Sequence, residues 1–251
     1  MAMIPWTMGQ ERTVKTDRSY QVRNNAWVDV AGKYGDIHID TWDSKKVEVK
    51  VVIEVTKRSE KLAQNMLDKI SIGIDDSDKE ALSFRTSIDG SINNKSGDRM
   101  KIDYWIKAPK SLAFKIKNSY GNFYIAENTG KNDFKIAYGN IKAGQSTGNT
   151  VLKVSYGNGE IKEMKNLSLE VSYSNLSFDK IGIATMVNNY SNIDAEDVGS
   201  VAIENRYGNF KVQTINVLNG QSKYGNITLG KLYKEVDFAG GVKVKWISKD
   251  F

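Results

Sequence analysis

The tripeptide Tyr-(Gly/Ser)-Asn occurs seven times between residues 116 and 232: Tyr120-Gly121-Asn122, Tyr138-Gly139-Asn140, Tyr156-Gly157-Asn158, Tyr173-Ser174-Asn175, Tyr190-Ser191-Asn192, Tyr207-Gly208-Asn209 and Tyr224-Gly225-Asn226. Successive tyrosines are 18, 18, 17, 17, 17 and 17 residues apart. A fixed period this short marks a solenoid, in which each repeat buries its apolar face against its neighbours.

Counted from the Tyr, apolar residues stand two and four positions before it, as in Phe134 and Ile136 or Leu169 and Val171. They return three and five positions after it, as in Leu176 and Phe178 or Phe210 and Val212. Position eight adds Met164, Ile181, Val198, Ile215 and Leu232. Steps of two mark strands, because alternate residues share a face. Steps of three mark corners. Each repeat reads as strand, Gly-Asn corner, strand, corner and a short third side. An antiparallel meander with Tyr-Gly-Asn as hairpin turn is the competing architecture. The apolar set continues past both strands into position eight, which favours the coil. Seven coils about 4.8 Å apart would form a rod roughly 34 Å long.

Gly and Asn suit a corner because both tolerate positive φ. Asn fills its place in all seven copies, more than turn tolerance demands. An internal ladder of Asn122, Asn140, Asn158, Asn175, Asn192, Asn209 and Asn226 is therefore expected, each amide bonding the next coil. If it is buried, losing Asn158 would cost about 1–3 kcal/mol. Tyr has the parity of the inward residues, so a stacked Tyr row beside the ladder is expected. The outward positions are polar and varied. No row repeats a single charge as a nucleic-acid-binding ladder would.

The 251 residues include 36 Lys+Arg, 30 Asp+Glu and no cysteine. The basic excess is spread along the chain, which reads as a solvated surface rather than a polyanion site. Disulfides, thiolate chemistry and Cys-ligated zinc are excluded. No apolar run approaches a membrane span. Residues 1–12 lack the features of an intact signal peptide and are expected to be disordered, as leader remnant or expression residue. Residues 13–110 read as a β-rich region and 111–251 as the repeat region, packed with it as one unit. Tyr34-Gly35-Asp36, with Val28 and Val30 before it and Ile37, Ile39 and Trp42 after it, matches the repeat as an eighth, outlying coil. Val47, Val49, Val51, Ile53 and Val55 alternate as a half-buried strand. Ser59 caps a helix over 60–70 with an apolar stripe of Leu62, Met66, Leu67 and Ile70. Strands are expected around Ile72 and Ile74, over 80–88 and over 100–107. The acidic turn Asp75–Asp78 joins the first two, and 89–100 forms a mobile loop. The helix region and a closing strand through Val242, Val244 and Trp246 would cover the two ends of the rod.

These features together, covering about residues 14–247, resemble a bacterial domain family of unknown function whose members are described as putative adhesins. The resemblance implies an exported β-solenoid of Gram-negative bacteria and supplies no catalytic residues. The expected fold class is thus mainly β: a single-stranded β-helix of ~17-residue coils, with an N-terminal β-rich region carrying one short helix.

His38, the one histidine, takes outward parity and has no evident partners for a Ser-His-Asp or multi-His metal site. Asp179, Asp194, Glu196 and Asp197 fall at positions six, four, six and seven of neighbouring coils. Such carboxylates could hydrolyse glycosides or hold calcium. With Lys162 in the column of Asp179 and Lys180 in that of Asp197, they could equally form an ion-pair ladder, the reading preferred here. Trp27, Trp42, Trp105 and Tyr124 could form a sugar-stacking surface, against a default of core or edge packing. No catalytic, metal or cofactor site is expected. The leading functional reading is an exported, non-enzymatic solenoid that binds a surface glycan or a partner protein of the envelope, without nucleic acid or membrane span. A carbohydrate-active enzyme using Asp179, Asp194 and Glu196, or a regulatory partner of a membrane signalling complex, are the alternatives.

Overall fold

The computed structural model describes residues 10–23, 26–78, 80–92 and 95–240. Its elements in order are β1 (Gln10–Gln21), β2 (Trp27–Lys33), β3 (Ile37–Trp42), β4 (Lys46–Lys57), α1 (Glu60–Leu67), β5 (Ile70–Asp78), β6 (Ala81–Ile88), β7 (Arg99–Pro109), β8 (Ala113–Ser119), β9 (Phe123–Ile125) and β10 (Asn132–Ala137). Six strands of equal length follow, each a whole coil: β11 (Ile141–Ser155), β12 (Asn158–Ser172), β13 (Asn175–Asn189), β14 (Asn192–Arg206), β15 (Asn209–Lys223) and β16 (Asn226–Gly240).

All coil-to-coil pairing is parallel, with Asn158, Asn175, Asn192, Asn209 and Asn226 in one register column. This excludes the hairpin meander. In β13, inward side chains fall at Leu176, Phe178, Ile181, Ala184, Met186 and Asn188. The steps of two, three, three, two and two make a three-sided coil. The front side carries positions two to five after the Tyr. A short side follows, and the back side returns to the next Tyr. The core is one continuous stack of Ile, Leu, Val, Phe and Met through every coil.

Tyr34 begins a coil of its own: β2 pairs in parallel with β8 on the back, and β3 with β9 on the front. Beyond it the two sides separate. The front continues through β7, β4 and β1, and the back through β6 and β5. Val47, Val49, Val51, Ile53 and Val55 of β4 all point inward and are buried. Tyr104 on β7 crosses the interior, and its hydroxyl meets Thr86 of β6 at 2.7 Å. Burial pushes its phenol pKa up to about 12. Helix α1 packs on β1 and β4 through Ala63, Met66 and Leu67. The Ser59 hydroxyl accepts from the Leu62 N–H at 3.4 Å, as an N-cap should.

Several expectations are corrected. The helix stops at Leu67, and Ile70 opens β5 instead of ending the apolar stripe; Leu62 is largely exposed. The acidic run Asp75–Asp78 is the end of β5 rather than a separate turn. Residues 10–12 belong to β1, while 1–9 and the segment with Val242, Val244 and Trp246 lie outside the described residues.

The corner itself works differently from its reading. Positive φ is carried by the tyrosines: Tyr34 and the seven repeat tyrosines have φ between 51° and 61°. A left-handed residue interrupts the period-two alternation, so the count that placed Tyr inward fails there. The rings stand outside, with Tyr120 through Tyr207 about half exposed and Tyr224 more so, stacked at 4.8–5.2 Å between centroids from Tyr34 to Tyr224. Glycine serves close approach instead. A Cβ on Gly121, Gly139 or Gly157 would overlap the carbonyl oxygen of the corner glycine one coil earlier.

The asparagines hydrogen-bond from coil to coil, but on the surface. Asn158 Nδ2 donates to Asn140 Oδ1 (3.2 Å), Asn175 to Asn158 (3.1 Å), Asn192 to Asn175 (2.8 Å), Asn209 to Asn192 (2.7 Å) and Asn226 to Asn209 (2.9 Å). A second, buried set stands two positions before the Tyr: Asn118, Asn188 and Asn205. Their amides donate to corner carbonyls, Asn188 to Ser191 (3.1 Å) and Asn205 to Gly208 (2.8 Å).

Candidate functional site

The front side gathers the most varied chemistry of the molecule. One register row crosses it: Asp17, Lys50, Trp105, His38, Tyr124, Lys142, Glu160, Ser177 and Asp194. All take outward parity, so neighbours one strand apart meet side by side. The three rings in the middle stack. His38 lies 3.9 Å from Trp105 and 4.5 Å from Tyr124, centroid to centroid, with planes within 6° of parallel. Both faces of the imidazole are covered. Trp105 is 45% exposed.

A groove opens on each side of this stack. Beyond Trp105 lies one of about 450 Å³, lined by Asp17, Arg18, Asp40, Glu48, Lys50 and Lys107. Beyond Tyr124 lies one of about 570 Å³, running along the coils between the asparagine column and Lys142, Glu160, Ser177 and Asp194.

A carboxylate pair ties the same strands together two residues before the rings. Asp103 Oδ1 accepts the Asp36 N–H at 2.7 Å, and Asp36 Oδ1 accepts the Asn122 N–H at 2.8 Å. Lys101 Nζ bridges them, 3.1 Å from Asp36 and 2.8 Å from Asp103. Asp36 stands where the repeat has Asn, so it heads the asparagine column. Burial opposes its ionisation, but the Asn122 N–H and the Lys101 ammonium outweigh burial and hold its carboxyl below the usual value.

Burial also pulls His38 below its ordinary pKa of 6.5, more than the nearby Asp36 and Asp103 raise it. The folded state therefore disfavours the proton. Stability linked to His38 is complete above the ordinary value and is lost as pH falls through the folded pKa. As the one histidine, its ring C–H signals can be followed by NMR without assignment. The expected midpoint lies below 6.5 and moves up in Trp105→Ala. A midpoint above 6.5 would mean that the aromatic faces attract the cation more than burial repels it.

The structure brings together only part of the aromatic set read from sequence. Trp105 and Tyr124 share the stack. Trp27 is on β2, on the back side. Trp42 ends β3 with its Nε1–H bonded to the Lys46 carbonyl at 2.9 Å, and the Lys107 ammonium lies 5.9 Å from its ring centroid. His38 was readable as outward-facing, but its stacking depends on the β3–β7 register, which sequence does not give. Asp36 could have been placed from its position in Tyr34-Gly35-Asp36; its partners Lys101 and Asp103 could not.

The four acidic candidates, all exposed, do not converge. Asp194 lines the longer groove. Asp197 accepts from the Thr214 hydroxyl at 3.1 Å. Asp179 and Glu196 sit where the ladder skips a pair, between Phe178↔Ala195 and Lys180↔Asp197. The expected ion pairs with Lys162 and Lys180 are not formed among the described residues; pairs that do link neighbouring coils include Lys142–Glu160 (3.3 Å) and Lys153–Glu170. Positions six and seven are at a corner, where side chains splay, whereas those two pairs lie on flat sides.

No family model matches the chain, and no curated protein matches it significantly. Solved structures do. The crystal structure of a putative adhesin from Bacteroides fragilis is similar at 19% identity over 86% of this chain and 96% of that one, with a TM-score of 0.52. A putative lipid binding protein and a putative adhesin, both from Parabacteroides distasonis, align at 14% and 16% identity over 92% and 94% of this chain and 96% and 94% of theirs, with TM-scores of 0.47 and 0.37. The likeness to the Bacteroides fragilis protein is one of fold: a β-solenoid, as the sequence resemblance implied. Among the described residues, no helix is long and apolar enough to cross a membrane.

Proposed function

We propose that this chain is an exported, non-enzymatic binding protein that takes a surface glycan on its front side, against Trp105. The observation that carries the reading is the ring stack: an exposed indole, held rigid by His38 and Tyr124, beside a groove of charged and polar side chains. Sugars present apolar C–H faces and hydroxyl edges. An aromatic ring takes the first, and carboxylate, ammonium and guanidinium groups take the second. The rings need no rearrangement to bind, so little ordering entropy opposes association. The scattered arrangement of Asp179, Asp194, Glu196 and Asp197 supports binding over hydrolysis, which needs two carboxyls facing one bond.

A glycan array with wild type and Trp105→Ala tests this. Wild type is expected to retain at least one glycan class, and the variant to lose about 2 kcal/mol or more, roughly thirtyfold in affinity. Its melting temperature should fall only modestly, because the indole is nearly half exposed and packs on the outer face of the sheet. Equal retention by the two proteins, or no retention by wild type, would overturn the reading.

A further inference from the structure

We propose that the longer front groove binds a linear, uncharged, β-1,4-linked polysaccharide lying along the solenoid axis, one sugar per coil. This rests on the reading that the front side binds glycans, and goes further in naming the polymer, its direction and its length.

The period decides the class of polymer. Stacked tyrosine centroids place successive coils 4.8–5.2 Å apart. An extended β-1,4-linked pyranose chain advances by about one such spacing per sugar. An extended peptide advances about 3.3 Å per residue, a polyproline helix about 3.1 Å and a stacked nucleic-acid strand about 3.4 Å. Each of these falls out of step after one coil.

The chemistry repeats with the same period. Asn140, Asn158 and Asn175 form one wall of the groove. Asn158 and Asn175 each use one side-chain N–H on the coil before and accept one from the coil after, whereas Asn140 Oδ1 accepts both the backbone and the side-chain N–H of Asn158. A primary amide has two donors and two acceptor sites, so Asn158 and Asn175 each keep one of both on an exposed edge, and Asn140 keeps donor capacity. That pair matches a sugar hydroxyl, which both donates and accepts. The opposite wall is close to neutral: Lys142 and Glu160 pair with each other at 3.3 Å, followed by Ser177. A polyanion finds no row of cations here.

The ends set the length. Tyr124 rises at one end with its other face covered by His38, and the near-neutral stretch of the row ends four coils on at Asp194, beyond which the row continues as Lys211 and Thr228. Four spacings are about 19 Å, room for about four sugars, with a chain end against the Tyr124 ring.

The test is calorimetric titration of the full chain with neutral β-1,4-linked glucose and N-acetylglucosamine oligomers of increasing length. Affinity is expected to rise roughly three- to tenfold per added sugar up to about four, then level off. Ser177→Tyr, which gives up one hydroxyl bond to the Gly159 carbonyl at 3.2 Å, is expected to reduce the tetramer to the affinity of the dimer while lowering the melting temperature only slightly. Trp105→Ala should leave the length dependence intact. Affinity independent of length, with Trp105-dependent binding of short sugars retained, would overturn this inference and leave the glycan reading standing. Preference for an anionic polymer would also overturn it. Failure to bind any saccharide would sink both.

Discussion

Replacing Gly139 with alanine is expected to destabilise the protein by about 3 kcal/mol or more, at the upper end of overpacking costs. The added Cβ would overlap the Gly121 carbonyl oxygen, and Gly157 stacks on the other side in the same way. Neither neighbour is a side chain that can swing away; both are backbone in a hydrogen-bonded ladder. Relief therefore requires prising coils apart, which weakens parallel pairing along their length. The φ of Gly139 is not in the left-handed region, so the cost is one of space and not of backbone preference. Ser174 and Ser191 occupy the same corner two and three coils on. Their hydroxyls accept N–H bonds from the previous coil, Gly157 to Ser174 at 3.2 Å and Ser174 to Ser191 at 3.0 Å. Ser174→Gly should accordingly cost only about 1 kcal/mol, the value of such a bond. Denaturant midpoints measure both. Equal, small shifts for the two variants would show that the glycine corners can relax as the serine corners do.

The second large effect is expected at Asn205. Its side chain is buried and makes three bonds: from Nδ2 to the Gly208 carbonyl and to Ser222 Oγ, both 2.8 Å, and to Oδ1 from Asn188 at 2.7 Å. Asn205→Ala removes three buried hydrogen bonds, leaves the Gly208 carbonyl with the Asn226 N–H alone, and opens a void. A loss of about 2–4 kcal/mol follows from the lost bonds and the cavity together. Asn158→Ala, by contrast, removes an exposed link whose partners can turn to water. About 0.5–1.5 kcal/mol is expected there, at the low end of what a buried ladder would lose. Chemical denaturation of the two variants side by side measures the difference. If Asn158→Ala proves the costlier, the surface column and not the buried set holds the corners together.

The contrast between these asparagines shows where sequence reasoning reaches and where it stops. The 17–18-residue period, the alternation within each side and the step to position eight determine a parallel coil, because burying a repeated apolar face leaves few other arrangements. The same regularity picks out the Tyr34 coil and the alternating strand through Val47–Val55. Counting by twos, however, assumes extended backbone. Eight tyrosines in the left-handed region break the count, so their rings, and with them the asparagine column, fall outside.

The site was less legible than the fold. Outward parity could be read for His38 and Trp105, because it follows from each strand's own alternation. That they stack with Tyr124 depends on β3 pairing with both β7 and β9, strands some 65 and 85 residues further along the chain. Nothing local encodes that register. Lys101 bridging Asp36 and Asp103 is the same case. The sequence by itself determined the repeat, its inward residues and the parallel coil, since periodic burial is a local property of the chain. Only the tertiary structure decided which outward residues meet, because contacts between distant strands are set by register, and register is fixed by the packing of the whole sheet.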